Sequence, residues 1–180
     1  LAVLVSALAQ AAQTTLNKTT GDVNAEITPA AQNDTLTFED ANMQDVPAIE
    51  VMLAKAKLPI VGVRRHIAHF RLCKREGKIV ALGGLELYGE QALLRSIVVD
   101  TAQRNQAYGK QLVHDLCQIA QQSGVHDLYL KTVDAKPFFD GLGFQVLAYD
   151  QVPASLKQSS QFRGSCPASA TVMHRALSDS

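Results

Sequence analysis

The apolar positions of the chain change period several times, and each change marks an element. Thr35–Glu39 reads as a short strand. Asp45–Lys57 places Val46, Ile49, Val51, Met52, Leu53 and Ala56 in a roughly helical pattern, with Pro47 in the first turn, where a missing N–H costs nothing. His69–Lys74 and Lys78–Tyr88 are rich in strand formers and are joined by Arg75-Glu76-Gly77, which predicts a hairpin. Gln91–Val99 predicts another strand. Gln111–Gln122 sets Leu112, Val113, Leu116, Ile119 and Ala120 on one helix face, and Ser123-Gly124 stops it. Leu128–Thr132 predicts a strand, Pro137–Leu142 a short helix closed by Gly143, and Phe144–Ala148 a last strand. The order is strand, helix, strand meander, helix, strand, helix, strand, which is a mixed α/β (α+β) pattern.

Before Thr35 the pattern is different. Residues 1–12 are small and apolar, residues 13–35 are polar, and the first aromatic residue of the chain is Phe38. Residues 1–34 therefore read as an apolar start plus a polar linker or extension, and 35–180 as the folded domain. The first dozen residues resemble the apolar part of an export signal, with Ala7-Leu8-Ala9 as a small-residue site, yet no positive segment precedes them. A clipped signal, a docking amphipathic helix and sequence upstream of the true start all remain open.

Composition narrows the classes. Of 180 residues, 47% are hydrophobic, enough for a real core, and Lys+Arg equals Asp+Glu at 17 each. That balance offers no basic field for nucleic acid and no polybasic patch for a membrane surface. No run of 18 apolar residues exists to span a bilayer as a helix. Cys73, Cys117 and Cys166 lie far apart, and neither they nor His66, His69, His114 and His126 show metal-ligand spacing, so no metal is expected. The expectation is a soluble protein of a reducing, cytoplasmic compartment, a monomer or homodimer, with a small-molecule partner.

The chemistry concentrates in Leu93–Gly109. A hydrophobic strand, Ile97-Val98-Val99, runs into a polar turn that opens an amphipathic helix. Backbone N–H groups at such a helix start lack intrahelical partners and, with the helix dipole, suit a phosphate or pyrophosphate. Arg104 adds positive charge and Gly109 allows close backbone approach. Neither phosphate-loop nor dinucleotide glycine motifs are present, since Gly109-Lys110 is followed by Gln111.

The run IVVDTAQRNQAYGKQLVHDL resembles the acyl-CoA-binding motif of the GNAT N-acetyltransferase superfamily, and AKPFFDGLGF (Ala135–Phe144) resembles its second signature. A narrower resemblance, through GLELYGEQALLRS and SSQFRGSCPASATVM, is to GNAT proteins of bacterial arsenic-resistance operons, themselves similar to amino-acid N-acetyltransferases. The resemblance implies the GNAT fold, a central mixed sheet flanked by helices, and an acyl-CoA N-acyltransferase that moves acetyl from acetyl-CoA directly to a primary amine. It implies donor contacts from Ile97, Val98, Val99, Arg104, Asn105, Gln106, Ala107, Tyr108, Gly109, Lys110 and Phe139. The backbone of Val99 is expected to polarise the thioester carbonyl.

Two positions depart from the family pattern. Ala107 replaces a glycine, so its backbone must keep φ negative or carry strain. Phe139 stands where many members have the tyrosine that protonates the leaving thiolate, which leaves a CoA-binding sensor or interaction module as the alternative to an enzyme.

Acceptor chemistry needs a base and an anchor. Glu86, in an otherwise apolar strand, is the expected base, its pKa raised if it lies desolvated in a cleft; Glu90, in a turn, is weaker. Arg95, interrupting an apolar strand, and Arg163 are expected to hold an acidic group of a small amino acid-like or xenobiotic amine, although an Arg95–Glu86 pair would occupy both. Cys166 is favoured neither as nucleophile nor as metalloid ligand. Of the histidines, His69 is the one placed toward the substrate side.

Overall fold

In the computed structural model, residues 36–103, 107–165 and 168–177 are described. Among them seven strands form one sheet: β1 (Leu36–Asp40), β2 (Phe70–Arg75), β3 (Lys78–Tyr88), β4 (Gln91–Val99), β5 (Asp127–Thr132), β6 (Gln145–Val146) and β7 (Thr171–Ala176). Their spatial order is β1-β2-β3-β4-β5-β7-β6. Every neighbouring pair is antiparallel except β4 with β5. The parallel pair needs a crossover, which α3 (Tyr108–Gln122) supplies. The other helices are α1 (Val46–Lys55), α2 (Val63–His66) and α4 (Lys136–Asp140).

Local sequence explains much of this. Glu76 and Gly77 both take positive φ, 51° and 73°, which makes a two-residue turn of the kind that fits the strand twist. Arg75 therefore belongs to β2 rather than to the turn. Of the predicted face of α3, Leu112, Val113, Leu116 and Ala120 are buried and Ile119 partly so, Cys117 is buried beside them, and Gly124 (φ 79°) ends the helix. The core cluster under α3 and α4 includes Leu85, Leu94, Leu128, Leu130, Phe144 and Met173. A second cluster joins α1 and α2 to Phe70, Leu72, Leu82 and Val98. Arg71 ties the sheet to α3, its Nε donating to Asp115 Oδ2 at 2.7 Å.

Three expectations need correction. The strand expected over Phe144–Ala148 shortens to Gln145–Val146, because Phe144 turns into the core under α4. The strand β7 was not anticipated; it inserts between β5 and β6, pairing Asp127–Thr132 along its whole length. The short α2 was not anticipated either.

Candidate active site

The site begins with an irregularity in β4. Gly84 pairs with Arg95 but Leu82 pairs with Val98, so Ser96 and Ile97 together face Gly83. This is a β-bulge, and Ser96 takes φ 59°, a left-handed conformation that costs a non-glycine residue about 1–2 kcal/mol. Gly83 makes room for it: a Cβ there would stand 2.3 Å from Ile97 Cδ1. A Cβ on Gly84 would stand 2.5 Å from the Phe70 ring. Both glycines of the β3 run are therefore required by close packing.

Next to the bulge the sheet opens. β4 pairs with β5 only through Gln91–Leu93 and Asp127–Tyr129. Beyond Leu93 the β5-facing edge of β4 has no strand neighbour among the described residues, and a wedge lies between the strands.

The first of two joined cavities has a volume of 610 Å³ and runs from that wedge to the start of α3. Of the expected donor contacts, Ile97, Val98, Val99, Ala107, Tyr108, Gly109, Lys110 and Phe139 line it. Arg104, Asn105 and Gln106 lie outside the described residues. Helix hydrogen bonding begins with Gln111 N–H to Ala107 C=O, and no side chain caps the helix start. The N–H groups of Tyr108, Gly109 and Lys110 thus have no intrahelical acceptor at the cavity wall, as an anion site requires. Gly109 is needed there, since a Cβ would lie 3.3 Å from both Phe138 and Val99. Ala107 takes the strained branch of the two that were open, with φ 59°.

The second cavity, 380 Å³, lies between Leu93–Ile97 of β4 and Leu130–Thr132 of β5, with Gln161 also in its lining. It shares Ile97, Asp134, Ala135 and Phe139 with the first. Phe139 is held at this junction by edge-on packing with Phe138 and Phe144, ring centroids at 5.0 and 5.7 Å. The two cavities therefore meet at Phe139.

Glu86 and Arg95 pair with each other. Arg95 Nη1 donates to Glu86 Oε1, Nη2 donates to the Val61 carbonyl at 2.6 Å, and Nε donates to Ser96 Oγ at 3.2 Å. Tyr88 Oη donates to Glu86 Oε2 at 2.8 Å. Both charged residues are almost fully buried, at 1% and 3% exposure. Glu86 lines neither cavity, whereas Arg95 lines the second. The expected rise in the Glu86 pKa is not what the surroundings produce. Burial pushes it up, but hydrogen bonds from Ser159 and Tyr88 and the Arg95 charge outweigh burial and hold it below the ordinary carboxylate value. Burial and the bond to Glu86 push the Tyr88 hydroxyl up to about 12.

The other expected residues are placed as follows. Arg163 is exposed and lines neither cavity. The histidine beside Glu86 is His66, not His69, with Nε2 3.9 Å from Glu86 Oε2; burial pushes its pKa down and favours the neutral ring. Cys73 and Cys117 are buried, and burial pushes the Cys73 thiol up to about 11. Cys166 lies outside the described residues. Among the described residues no cluster of three His, Cys, Asp or Glu could hold a metal ion. No described helix is long and apolar enough to cross a membrane.

Sequence reasoning missed Tyr88, His66, Ser159, Asp134 and Lys131. Tyr88 could have been found, since residues two apart on a strand share a face with Glu86. The others depend on distant segments.

A splayed β4–β5 pair, a bulge in β4 and an open helix start after it define an acyltransferase architecture. The model of the Acetyltransferase (GNAT) family matches residues 35–144, and the chain belongs to that family. It is 25% identical over 122 residues to an amino-acid acetyltransferase of Edwardsiella ictaluri, covering 63% of this chain and 28% of that protein. The chain thus spans less than a third of that relative. Among solved structures it is similar to N-acetylglutamate synthase from Neisseria gonorrhoeae complexed with coenzyme A and N-acetyl-glutamate. The TM-score is 0.71 at 17% identity, over 81% of this chain and 36% of that one. A Mycobacterium tuberculosis protein in complex with CoA gives a TM-score of 0.67 at 20% identity, over 79% of this chain and 99% of that one. At these identities the structural likeness speaks for the fold.

Proposed function

We propose that the protein is an acetyl-CoA-dependent N-acetyltransferase that transfers acetyl directly to the primary amine of a small amino acid-like or xenobiotic acceptor. The observation that carries this is the junction at Ile97, Ala135 and Phe139, where the cavity leading to the α3 N-terminus meets the smaller one between β4 and β5. In this reading the first cavity takes the donor. The pyrophosphate lies at the N–H groups of Tyr108–Lys110, with Arg104, Asn105 and Gln106 completing the loop. The pantetheine runs along the unpaired edge of Ile97–Val99, and the Val99 backbone stabilises the oxyanion of the tetrahedral intermediate.

The acceptor amine enters through the second cavity and attacks the thioester carbon; its proton passes to Asp134 and on to solvent as the C–N bond forms, and the C–S bond breaks to release the CoA thiolate. Asp134 is the carboxylate lining both cavities. Glu86, the base expected first, stands one residue back; in this reading it fixes Arg95, and its lowered pKa keeps it ionised in that pair. Arg163 follows Gln161, which lines the second cavity, without lining it itself. Phe139 donates no proton, so the thiolate leaves unassisted or to water. Cytoplasmic location, membership of the arsenic-operon branch and a monomeric or dimeric state belong to the same reading.

The second reading is a CoA-binding sensor, favoured by Phe139 and by the strain at Ala107. Calorimetric titration with acetyl-CoA and, in parallel, ATP tests the site. Saturable binding of acetyl-CoA alone is expected. Thiol release with a panel of amines then separates enzyme from sensor. Absence of acetyl-CoA binding overturns both readings, and a trapped acetyl-Cys166 overturns direct transfer.

A further inference from the structure

The acceptor cavity has three cations in its lining, Lys57, Arg95 and Lys131. They are not equivalent. Arg95 is committed to the Glu86 carboxylate, the Val61 carbonyl and Ser96, with its side chain 1% exposed. A ligand anion could take it only by displacing Glu86. Lys57 is exposed and sits past the end of α1 with φ 57°.

Lys131 is half-buried in β5 and differs from both. Its Nζ donates to the Gln161 carbonyl at 3.3 Å and lies 5.2 Å from the centre of the Phe162 ring. It pairs with no carboxylate among the described residues. An ammonium carries three donors, and the Gln161 bond uses one. The carbonyl and the ring fix the position of the charge without cancelling it.

Its place along the cavity matters as much. Lys131 does not line the donor cavity. It lines the acceptor cavity together with a neighbouring open cleft of 760 Å³ that carries Phe162, Val146 and Tyr149. It therefore stands where the acceptor cavity adjoins that cleft, outside the lining shared with the donor cavity. With Glu86 neutralising Arg95, the remaining lining charges are Lys57 and Lys131 against Asp134, and a net positive cavity favours an anionic ligand.

We propose that Lys131 is the residue that holds the acceptor's acidic group, so that the acceptor is a primary amine carrying a carboxylate, oriented with the carboxylate at Lys131 and the amine at the Phe139 junction. This rests on the acetyltransferase reading and assigns to Lys131 the anchoring expected of Arg95 and Arg163. Asp134, at the junction, then faces the ammonium end of the same molecule.

The test uses a panel of N-acetyl-L-amino acids and the matching uncharged N-acetyl amides, titrated calorimetrically into the CoA-saturated protein. At least one carboxylate is expected to bind about tenfold or more tightly than its amide, because a charged partner is lost with the amide. Lys131→Met should bring the two within about twofold while Lys131→Arg keeps their order, with CoA affinity unchanged in both variants. In the unaltered protein the preferred carboxylate should also protect Lys131 from reductive methylation, read by mass spectrometry. Retention of the preference in Lys131→Met, or methylation of Lys131 that the carboxylate does not slow, overturns the assignment to Lys131. If CoA binds and amines are acetylated but no carboxylate outcompetes its amide, the anchor is overturned and the transferase reading stands. If acetyl-CoA does not bind, both fall.

Discussion

Replacing Glu86 by glutamine removes a charge from the most buried ion pair among the described residues and leaves its partner in place. Arg95 would keep its bonds to Val61 and Ser96, and Tyr88 could still donate to the amide oxygen, so the environment collapses only in part. Breaking a buried pair from one side costs about 3–5 kcal/mol, and these retained bonds argue for the lower end. For a chain of this size each kcal/mol moves Tm by about 2–4 °C, so Glu86→Gln should melt about 6–12 °C below the parent at pH 7. Replacing both partners, as Glu86→Leu with Arg95→Met, removes the stranded charge and should recover most of that loss.

The dependence on pH follows from the direction of the shift. The folded-state pKa of Glu86 lies below its ordinary value of 4.5. Its contribution is therefore complete above the unfolded value and disappears as pH falls through the folded one. The gap in Tm between parent and Glu86→Gln should be flat from pH 8 to 6 and close below pH 4.5. Differential scanning calorimetry across that range measures it. A gap of less than about 2 °C at pH 7, or a double variant that melts as low as Glu86→Gln, would show that the pair is not what stabilises this part of the sheet. Turnover adds a second readout: if Glu86 is itself the proton acceptor, the double variant stays inactive even where its Tm is restored.

Three further outcomes are expected. Ala107→Gly relieves a left-handed alanine, worth about 1–2 kcal/mol, against a glycine entropy cost of about 0.5–1 kcal/mol, so the net gain is about 0–1.5 kcal/mol and Tm rises by up to about 6 °C in a thermal melt. A lower Tm would place Ala107 elsewhere. Gly83→Ala drives a methyl against Ile97 and, at 3.2 Å, against Leu116; it should cost about 1–3 kcal/mol and push Ile97 into the cavities. Acetyl-CoA Kd should rise about tenfold by calorimetry. Phe139→Tyr puts a hydroxyl at the junction and, if thiolate departure limits the rate, should raise kcat about tenfold or more, measured by thiol release. An unchanged kcat would mean that departure needs no acid.

What could be read from the sequence was whatever the chain decides over short distances. The strand, turn and helix from Leu93 to Gln122 are consecutive, and they supply Ile97–Val99 and Ala107–Lys110 of the first cavity, while Ala56, Leu58, Asp134 and Phe139 reach it from other segments. The hairpin of β3 and β4 is also local. Its tight turn at Gly89-Glu90 fixes Tyr88 opposite Gln91, hence Glu86 opposite Leu93 and Gly84 opposite Arg95. Glu86 and Arg95 are then diagonal neighbours on one face, within reach of each other's long side chains, and their pairing was foreseeable to the extent that the register was. The second cavity is of another kind. β5 joins β4 after a helical crossover, and β7 joins β5 across the segment that carries Ser159, Gln161 and Phe162. No turn sets which face of β5 carries Lys131, or which carbonyl lies beside it. A pattern of apolar residues encodes where strands pair, but this site exists because two strands part company after Leu93. The gap is set by the bulge at Ser96, which itself arises from a slip in register against Gly83. The second cavity therefore depends on the longest-range contacts of the fold, and the α3 end of the first on the shortest.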